Sequence, residues 1–238
     1  MWEMYDAVLR QVQSDDRIQN VRAGDSWVMV KTEKGALGVA AAQSGRRGLP
    51  LREDLFIGMP LNEAVQLVKS WDFEEATLGL AAINSQLNRN SLFPAEGEPD
   101  AFLRYRDRIQ GKKVAIIGRF QYLEKHLKGI CDSVVLERRP HEGECPDPAC
   151  EYILPEMDFV YITGSTVSNK TLPRLLQLSQ KAYTVIAGPS TPMTSALFEF
   201  GADALCGFCV TDENECVRAA AGSQGIFSCG RMVCWEKE

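Results

Sequence analysis

The sequence predicts an α/β protein, with a C-terminal domain built on a parallel sheet and a smaller N-terminal α+β domain. Three observations carry that expectation. From Lys113 onward short apolar runs alternate with helical patterns, as in Lys113-Val-Ala-Ile-Ile-Gly118 followed by Tyr122 to Lys128 and Ser133-Val-Val-Leu-Glu137, the alternation that makes parallel sheets with right-handed crossovers. Residues 1 to about 90 instead combine isolated helices with one hairpin. At 238 residues the chain is also long enough for two cores. The expected boundaries are 1–90 for the first domain, 91–110 for a linker and 111–238 for the second.

In the first domain Trp2 to Val12 has helical spacing, with Tyr5, Val8, Leu9 and Val12 on one face. Trp27-Val-Met-Val-Lys-Thr and Ala36-Leu-Gly-Val-Ala flank Glu33-Lys34-Gly35 as a hairpin turning at the glycine. A short helix is expected from Leu61 to Lys69. A longer one runs from Phe73 to about Leu87, opened by Asp72 with Glu75 three residues later as a capping box. Ala76, Leu80, Ile83 and Leu87 form its buried stripe, and Gly79 with Ala82 allows close packing. Asn84 sits beside that stripe, where a polar side chain needs a partner.

Residues 88 to 111 carry Pro94, Gly97, Pro99 and a charged run, the composition of a linker that has room for a short helix. Further strands are expected at Phe159 to Thr163, Thr184 to Ala187 and Ala204 to Val210, with Arg231 to Trp235 as an edge strand. Helices fill Leu172 to Lys181, Met193 to Phe200 and Glu213 to Ala221. His141 to Glu151, with Pro146 and Pro148, reads as a surface loop.

Lys and Arg number 26 against 32 Asp and Glu, and each side of Gln110 carries 13 basic and 16 acidic residues. That even spread supplies no basic face for a nucleic acid. No apolar run approaches the length of a membrane span, and the N-terminus lacks a signal peptide's basic and apolar blocks. The expected location is the cytoplasm, and a homodimer is the default assembly. In that compartment the eight cysteines are expected as thiols, mostly buried.

The place to look for a ligand is the loop after Asp158-Phe-Val-Tyr-Ile-Thr163. Strand carboxyl ends in an open parallel sheet face a crevice, and here the strand runs into Gly164, Ser165, Thr166, Ser168, Asn169 and Lys170. Hydroxyls, an amide and a cation suit an organic anion. Asn169 or Thr171 also suits a helix N-cap, with Pro173 in the first turn. Gly188-Pro189-Ser190-Thr191-Pro192 repeats the grammar after the next strand, with Thr191 as N-cap and Pro192 first in the helix. Two such turns at neighbouring strand ends would wall one crevice, which Asn84 would reach from the other domain.

Gly118-Arg119-Phe120 follows the first strand of the second domain, and Glu137 ends the next strand 19 residues later, the spacing of a ribose-binding acid. Arg119, Phe120 and Gln121 nevertheless stand where a phosphate cradle needs glycines, so NAD is not expected. Arg119 is instead a candidate for neutralising an anion. Cys206-Gly-Phe-Cys209 with Cys229 and Cys234 loosely matches a four-thiolate pattern. Residues i and i+3 of a strand face opposite sides, however, which disfavours zinc there. Cys145 and Cys150 flank a loop and have the softness for a heavy metal. His126 and His141 are the only histidines, and no nucleophile elbow, H-E-x-x-H or Gly-Lys-Ser loop is present.

The second half resembles the family described as putative heavy-metal chelation. The residues concerned are Gly118-Arg-Phe120, Ile130-Cys-Asp132, Glu137, Ile153-Leu-Pro155-Glu156, Asp158 to Thr163, Asn169 to Leu176, Gly188-Pro189 and Thr191-Pro192. The first half is similar to that family's N-terminal region through Met1-Trp2-Glu3, Tyr5-Asp6-Ala7, Val68-Lys-Ser-Trp71, Glu75-Ala and Leu78-Gly-Leu-Ala-Ala-Ile-Asn84. The resemblance implies a Rossmann-like C-terminal domain, an N-terminal domain shaped like that of enolase, and a site between them. It implies no enolase activity, because the enolase barrel has no counterpart. A heavy metal or metal chelate is the bound species it brings in. The functional expectation is a small anionic organic ligand held, and open to modification, in an interdomain cleft. The alternatives are a non-enzymatic metal carrier and a nucleotide or S-adenosylmethionine enzyme resting on Gly118 and Glu137.

Overall fold

A computed structural model of the protein describes residues 2–43, 51–94, 100–120, 126–222 and 225–238. Helix α1 (Trp2–Arg10) opens the chain, followed by strands β1 (Ile18–Ala23), β2 (Trp27–Thr32) and β3 (Leu37–Ala41) in one antiparallel sheet of order β1-β2-β3. Gly35 takes φ +84° at the β2–β3 turn, the left-handed geometry glycine tolerates. Strand β1 was not anticipated, because Ile18-Gln-Asn-Val-Arg-Ala is mostly polar and exposes its outer face.

Helix α2 (Leu61–Ala64) continues as a 3-10 turn to Lys69, and α3 (Phe73–Leu87) follows. Asp72 caps α3 by accepting from Glu74 N at 3.0 Å. The expected capping box does not form. Glu75 Oε2 accepts from Ser70 Oγ at 2.6 Å, and Asp72 N donates to the same Ser70 Oγ at 3.0 Å. Every residue from Ala76 to Gln86 is buried, since α3 lies between the small sheet and the second half of the chain. A Cβ on Gly79 would stand 2.2 Å from Val68 N, so glycine is what lets the 3-10 segment seat against α3.

The stretch read as a linker contains α4 (Ala101–Arg104) and α5 (Arg106–Ile109). Phe102, Tyr105 and Ile109 are buried in the core that covers one face of the large sheet. That sheet comprises β4 (Lys113–Ile117), β5 (Asp132–Glu137), β6 (Cys145–Pro146), β7 (Phe159–Thr163), β8 (Tyr183–Ala187), β9 (Ala204–Val210) and β10 (Gly230–Glu236), in the order β10-β9-β8-β7-β4-β5-β6. All neighbours are parallel except β9 and β10. The alternate residues of β7 enter two cores, Phe159 and Tyr161 on one side and Val160 and Ile162 on the other, which is why the strand reads as one apolar run.

The crossovers use α6 (Cys150–Ile153), α7 (Leu172–Leu178), α8 (Ala196–Glu199) and α9 (Glu213–Ala220). The segment expected as the loop His141 to Glu151 instead supplies β6 and the start of α6. The helix expected at Tyr122 to Lys128 falls mostly on residues 121–125, outside those described. Among the described residues no helix is long and apolar enough to cross a membrane.

The expectation of eight thiols is corrected at one pair. Cys206 and Cys234 are joined by a disulfide, at positions that pair directly across β9 and β10. The other six cysteines are free. Cys206 and Cys209 belong to opposite cores, as the strand period requires.

The two halves of the chain share one continuous core. Asn88, just beyond α3, fastens them together. Its Nδ2 donates to Thr191 O at 2.9 Å and to Phe208 O at 3.2 Å, and its Oδ1 accepts from Met193 N at 3.0 Å. One turn earlier Asn84 Nδ2 donates to Val39 O at 2.9 Å and Ser190 O at 3.3 Å. Removing the Asn88 amide would strand three buried backbone groups, each of which costs about 1–3 kcal/mol unpaired. Asn88→Ala is therefore expected to lower the unfolding free energy by roughly 2–4 kcal/mol after local relaxation. Exposed Glu63→Ala should stay within about 0.5 kcal/mol. Urea denaturation of both variants checks the contrast.

Candidate functional site

The chain order of the large sheet reverses between β4 and β7, since β5 and β6 build outward on one side and β8, β9 and β10 on the other. Such a switch point opens a crevice at the strand carboxyl ends. Gly118 ends β4 at φ +92°, and a Cβ there would meet Thr163 Cγ2 at 2.6 Å. The turns after β4 and β7 thus touch at the floor of a cleft of about 830 Å³.

Of the residues expected at a site, the cleft is lined by Gly118, Arg119, Glu137, Thr163, Ser165, Asn169 and Lys170. Ala42, Gln43 and Phe73 enter from the N-terminal half, so the cleft lies between the two parts of the chain. The lining includes five basic side chains (Arg119, Arg138, Arg139, Lys170, Arg174) and three acidic ones (Glu137, Asp147, Glu151). That local excess is positive in a chain of net charge −6.

The loop after β7 is heavily pinned. Thr163 Oγ1 donates to Ser165 Oγ at 3.3 Å, Thr166 Oγ1 to Thr163 O at 2.7 Å and Ser168 Oγ to Ser165 O at 2.9 Å. Tyr5 of α1 reaches across to donate from its hydroxyl to Val167 O at 2.8 Å. Asn169 does not cap α7. Its Oδ1 accepts from Thr171 N at 3.1 Å and Thr171 Oγ1 at 2.6 Å, closing the turn before the helix, and Thr171 makes no side-chain cap either.

Lys170 is the unusual residue. It is the one non-glycine residue at positive φ, +70°, among those described, a conformation uncommon outside Asn, Asp and Gly. Only 6 % of it is exposed. Its Nζ donates to Ser168 O at 2.5 Å and lies 5.6 Å from the centre of the Phe73 ring. Among the described residues no carboxylate pairs with it. Burial accordingly pushes its pKa down to about 8, since desolvation penalises the charged form.

Most of the other charges on the lining are already matched. Arg119 donates to Glu144 through Nε at 3.3 Å and Nη2 at 2.7 Å, and to Arg139 O at 3.3 Å. The Arg119 guanidinium, with the His141 N–H, holds the Glu144 pKa down at about 2. The anion partner expected of Arg119 is thus supplied by the protein. Glu137 folds back, its Oε1 accepting from Arg138 N at 2.8 Å and Arg139 N at 3.4 Å. Arg174 grips Glu151 at 2.9 and 2.5 Å, and Arg138 lies 3.3 Å from Asp147.

The remaining expected residues lie behind the cleft. A Cβ on Gly164 would stand 2.4 Å from Thr191 N, so the turn after β8 packs against the back of the β7 loop. Gly188, at φ +104°, lies against Phe120, which in turn packs edge-on to Phe102. Gly164, Gly188, Pro189, Thr191 and Phe120 are therefore outside the lining. Thr191 is not an N-cap and Pro192 does not begin a helix, because α8 starts only at Ala196. Asn84 is 1 % exposed and spends its amide on the backbone. Asn84 Oδ1 and Thr191 Oγ1 are buried without a partner among the described residues.

No group of three or more His, Cys, Asp and Glu stands close enough to hold a metal ion among the described residues. Cys206 and Cys234 are consumed by their disulfide. Burial pushes the Cys150 and Cys209 thiols up to about 11. A hydrogen bond to Cys229 raises the Cys216 pKa further, with burial adding to it. Cys150, Cys209 and Cys216 therefore resist becoming the thiolates a soft metal requires, whereas the same hydrogen bond lowers the pKa of Cys229. Hydroxyls, an amide and cations in the cleft match an anion better than a bare heavy-metal cation.

The sequence expectation that Lys69 to Glu75 of the N-terminal half closes the crevice includes Phe73, which lines the cleft, but sequence reasoning missed Arg138, Arg139 and Arg174. Only Arg174 carried a usable signal, four residues past Lys170 at the start of the predicted helix.

Two family models, both described as putative heavy-metal chelation, match residues 5–87 and 100–234. An uncharacterized protein of Methanocaldococcus jannaschii is 36 % identical over 183 residues, covering 73 % of this chain and 70 % of that protein. A crystal structure of a protein with unknown function of the same family from Desulfitobacterium hafniense matches with TM-score 0.91 and 37 % identity. It covers 100 % of this chain and 99 % of its own. One from Pyrococcus horikoshii matches with TM-score 0.79 and 25 % identity, covering 98 % of each. The mixed α/β architecture is thus the family's architecture.

Lys170 has a depressed pKa, so the unfolded chain binds its proton more tightly between pH 8 and 10.5. Wild-type stability should therefore rise with pH across that window, relative to a variant lacking the amine. Lys170→Met is expected to be more stable than wild type below pH 8, by on the order of 2 kcal/mol, with the gap closing as pH approaches 10.5. Denaturation of both proteins from pH 7 to 10.5 measures it.

Proposed function

The chain belongs to the family described as putative heavy-metal chelation, and from that premise we propose that its cleft binds a small, polar, anionic organic molecule, a chelator or a precursor of one. Lys170 carries the proposal. A desolvated ammonium with no carboxylate partner among the described residues, facing a cleft of ligand size, is an incomplete ion pair that a ligand carboxylate would complete.

The surroundings support it. The lining is locally basic in an acidic chain, which concentrates anions at the cleft mouth. Thr163, Ser165 and Asn169 place neutral hydrogen-bonding groups beside the amine. A metal would enter in this scheme as part of a chelate, held through the organic ligand. Direct capture fits the same residues poorly, because the cleft's carboxylates are engaged by arginines or by backbone N–H groups.

Thermal-shift and calorimetric titration with citrate and nitrilotriacetate, each free and nickel-loaded, tests the reading. A ligand at 100 times its dissociation constant adds about 2.7 kcal/mol of stability, a rise of several degrees. The expected result is stabilisation by at least one of the four that is lost in Lys170→Met. Stoichiometric binding of nickel chloride alone, unchanged in Lys170→Met, would contradict it.

A further inference from the structure

Lys170 is an expensive residue for a mere charge anchor. Its left-handed backbone costs a side-chain-bearing residue on the order of 1–2 kcal/mol, a strain that glycine or asparagine would relieve. Burying its ammonium without a carboxylate adds a second cost. Among the described residues the amine's one hydrogen bond goes to the carbonyl of Ser168, two residues back, which ties it to nothing beyond its own loop. Permanent charge for holding an anion is already present on the same lining in Arg139, whereas Arg138 and Arg174 are paired with Asp147 and Glu151.

Burial, with no carboxylate pairing the ammonium among the described residues, points to the neutral amine as the useful form. The Phe73 ring lies to one side of Nζ, its centre 5.6 Å away. Ser165 Oγ accepts from Thr163 Oγ1, and its own hydroxyl hydrogen is claimed by no described residue. Ser165 lines the same cleft as the amine, and its hydroxyl is available to donate to an oxygen of a bound ligand. Resting on the anion-binding reading of the cleft, we propose that Lys170 is a nucleophile that condenses with the carbonyl group of a small anionic aldehyde or ketone of the 2-oxo acid class.

The step balances without an outside oxidant or reductant. The amine lone pair attacks the carbonyl carbon, forming the C–N bond while the carbonyl π pair moves to oxygen. That oxygen takes one amine hydrogen and gives a carbinolamine. Loss of water, carrying the carbonyl oxygen and both amine hydrogens, leaves the imine. Arg139 would hold the substrate carboxylate, and the low pKa of Lys170 supplies the free amine near neutral pH, roughly a tenth of molecules at pH 7.

Borohydride trapping tests this on the wild-type chain. The protein is incubated with glyoxylate, pyruvate, oxaloacetate or 2-oxoglutarate, reduced with sodium borohydride, and mapped by peptide mass spectrometry. The expected product is a Lys170 peptide heavier by the oxo acid minus water plus two hydrogens. It should form at least tenfold faster than at any other lysine and be absent in Lys170→Arg. The wild-type map locates the adduct even if the variant fails to fold. Calorimetry with the same acids separates the two claims. Saturable binding with no preferred adduct at Lys170 overturns the nucleophile and leaves the anion site standing. No binding by any of the acids, together with failure of the citrate and nitrilotriacetate titrations, overturns both.

Discussion

The structure turns on two buried amides at the end of one helix. Asn84 and Asn88 hold the segment Ser190 to Met193 through its backbone, and Asn88 also reaches Phe208 on β9. A buried backbone segment outside regular structure must find partners for its polar groups, and this segment has no sheet or helix to supply them. The amides of α3 take that role. Their hydrogen bonds therefore fix where the N-terminal half sits on the large sheet, as well as satisfying a turn.

From that fixed point the cleft follows. The turn after β8 is pinned by the amides, and it packs at Gly164 against the back of the β7 loop. The same loop is gripped from the other half by Tyr5, and Phe73 at the start of α3 covers Lys170. A loop held on three sides can retain a left-handed lysine that a free loop would relax. Around it most charges are neutralised within the protein, as Arg119 by Glu144 and Arg174 by Glu151. The buried Lys170 is the charge left for something else to meet.

Much of the fold was legible because it is written in local periods. Strands β4, β7, β8 and β9 show as apolar runs, the β2–β3 hairpin as two runs around Gly35, and α3 as a capped stripe. The β7 loop was read as the polar stretch into which an apolar strand runs. What could not be read depends on partners distant in sequence. Asn88 looked like linker composition, yet its bonds span more than a hundred residues. Arg119 looked free because Glu144 is 25 residues away, and Thr191 looked like an N-cap because Pro192 follows it. The Cys206–Cys234 bond depends on the register of β9 against β10, which no spacing rule supplies. The turn at Gly188 shared the grammar of the site loop but serves as its support.

The account rests on Lys170 being a desolvated amine whose charge meets no carboxylate among the described residues. Direct titration of the lysine side chains tests this, using carbon NMR of protein labelled at lysine Cε, with Lys170 assigned by its absence in Lys170→Arg. The account predicts that the Lys170 resonance titrates near pH 8. A Lys170 resonance that titrates above about pH 10 would contradict it.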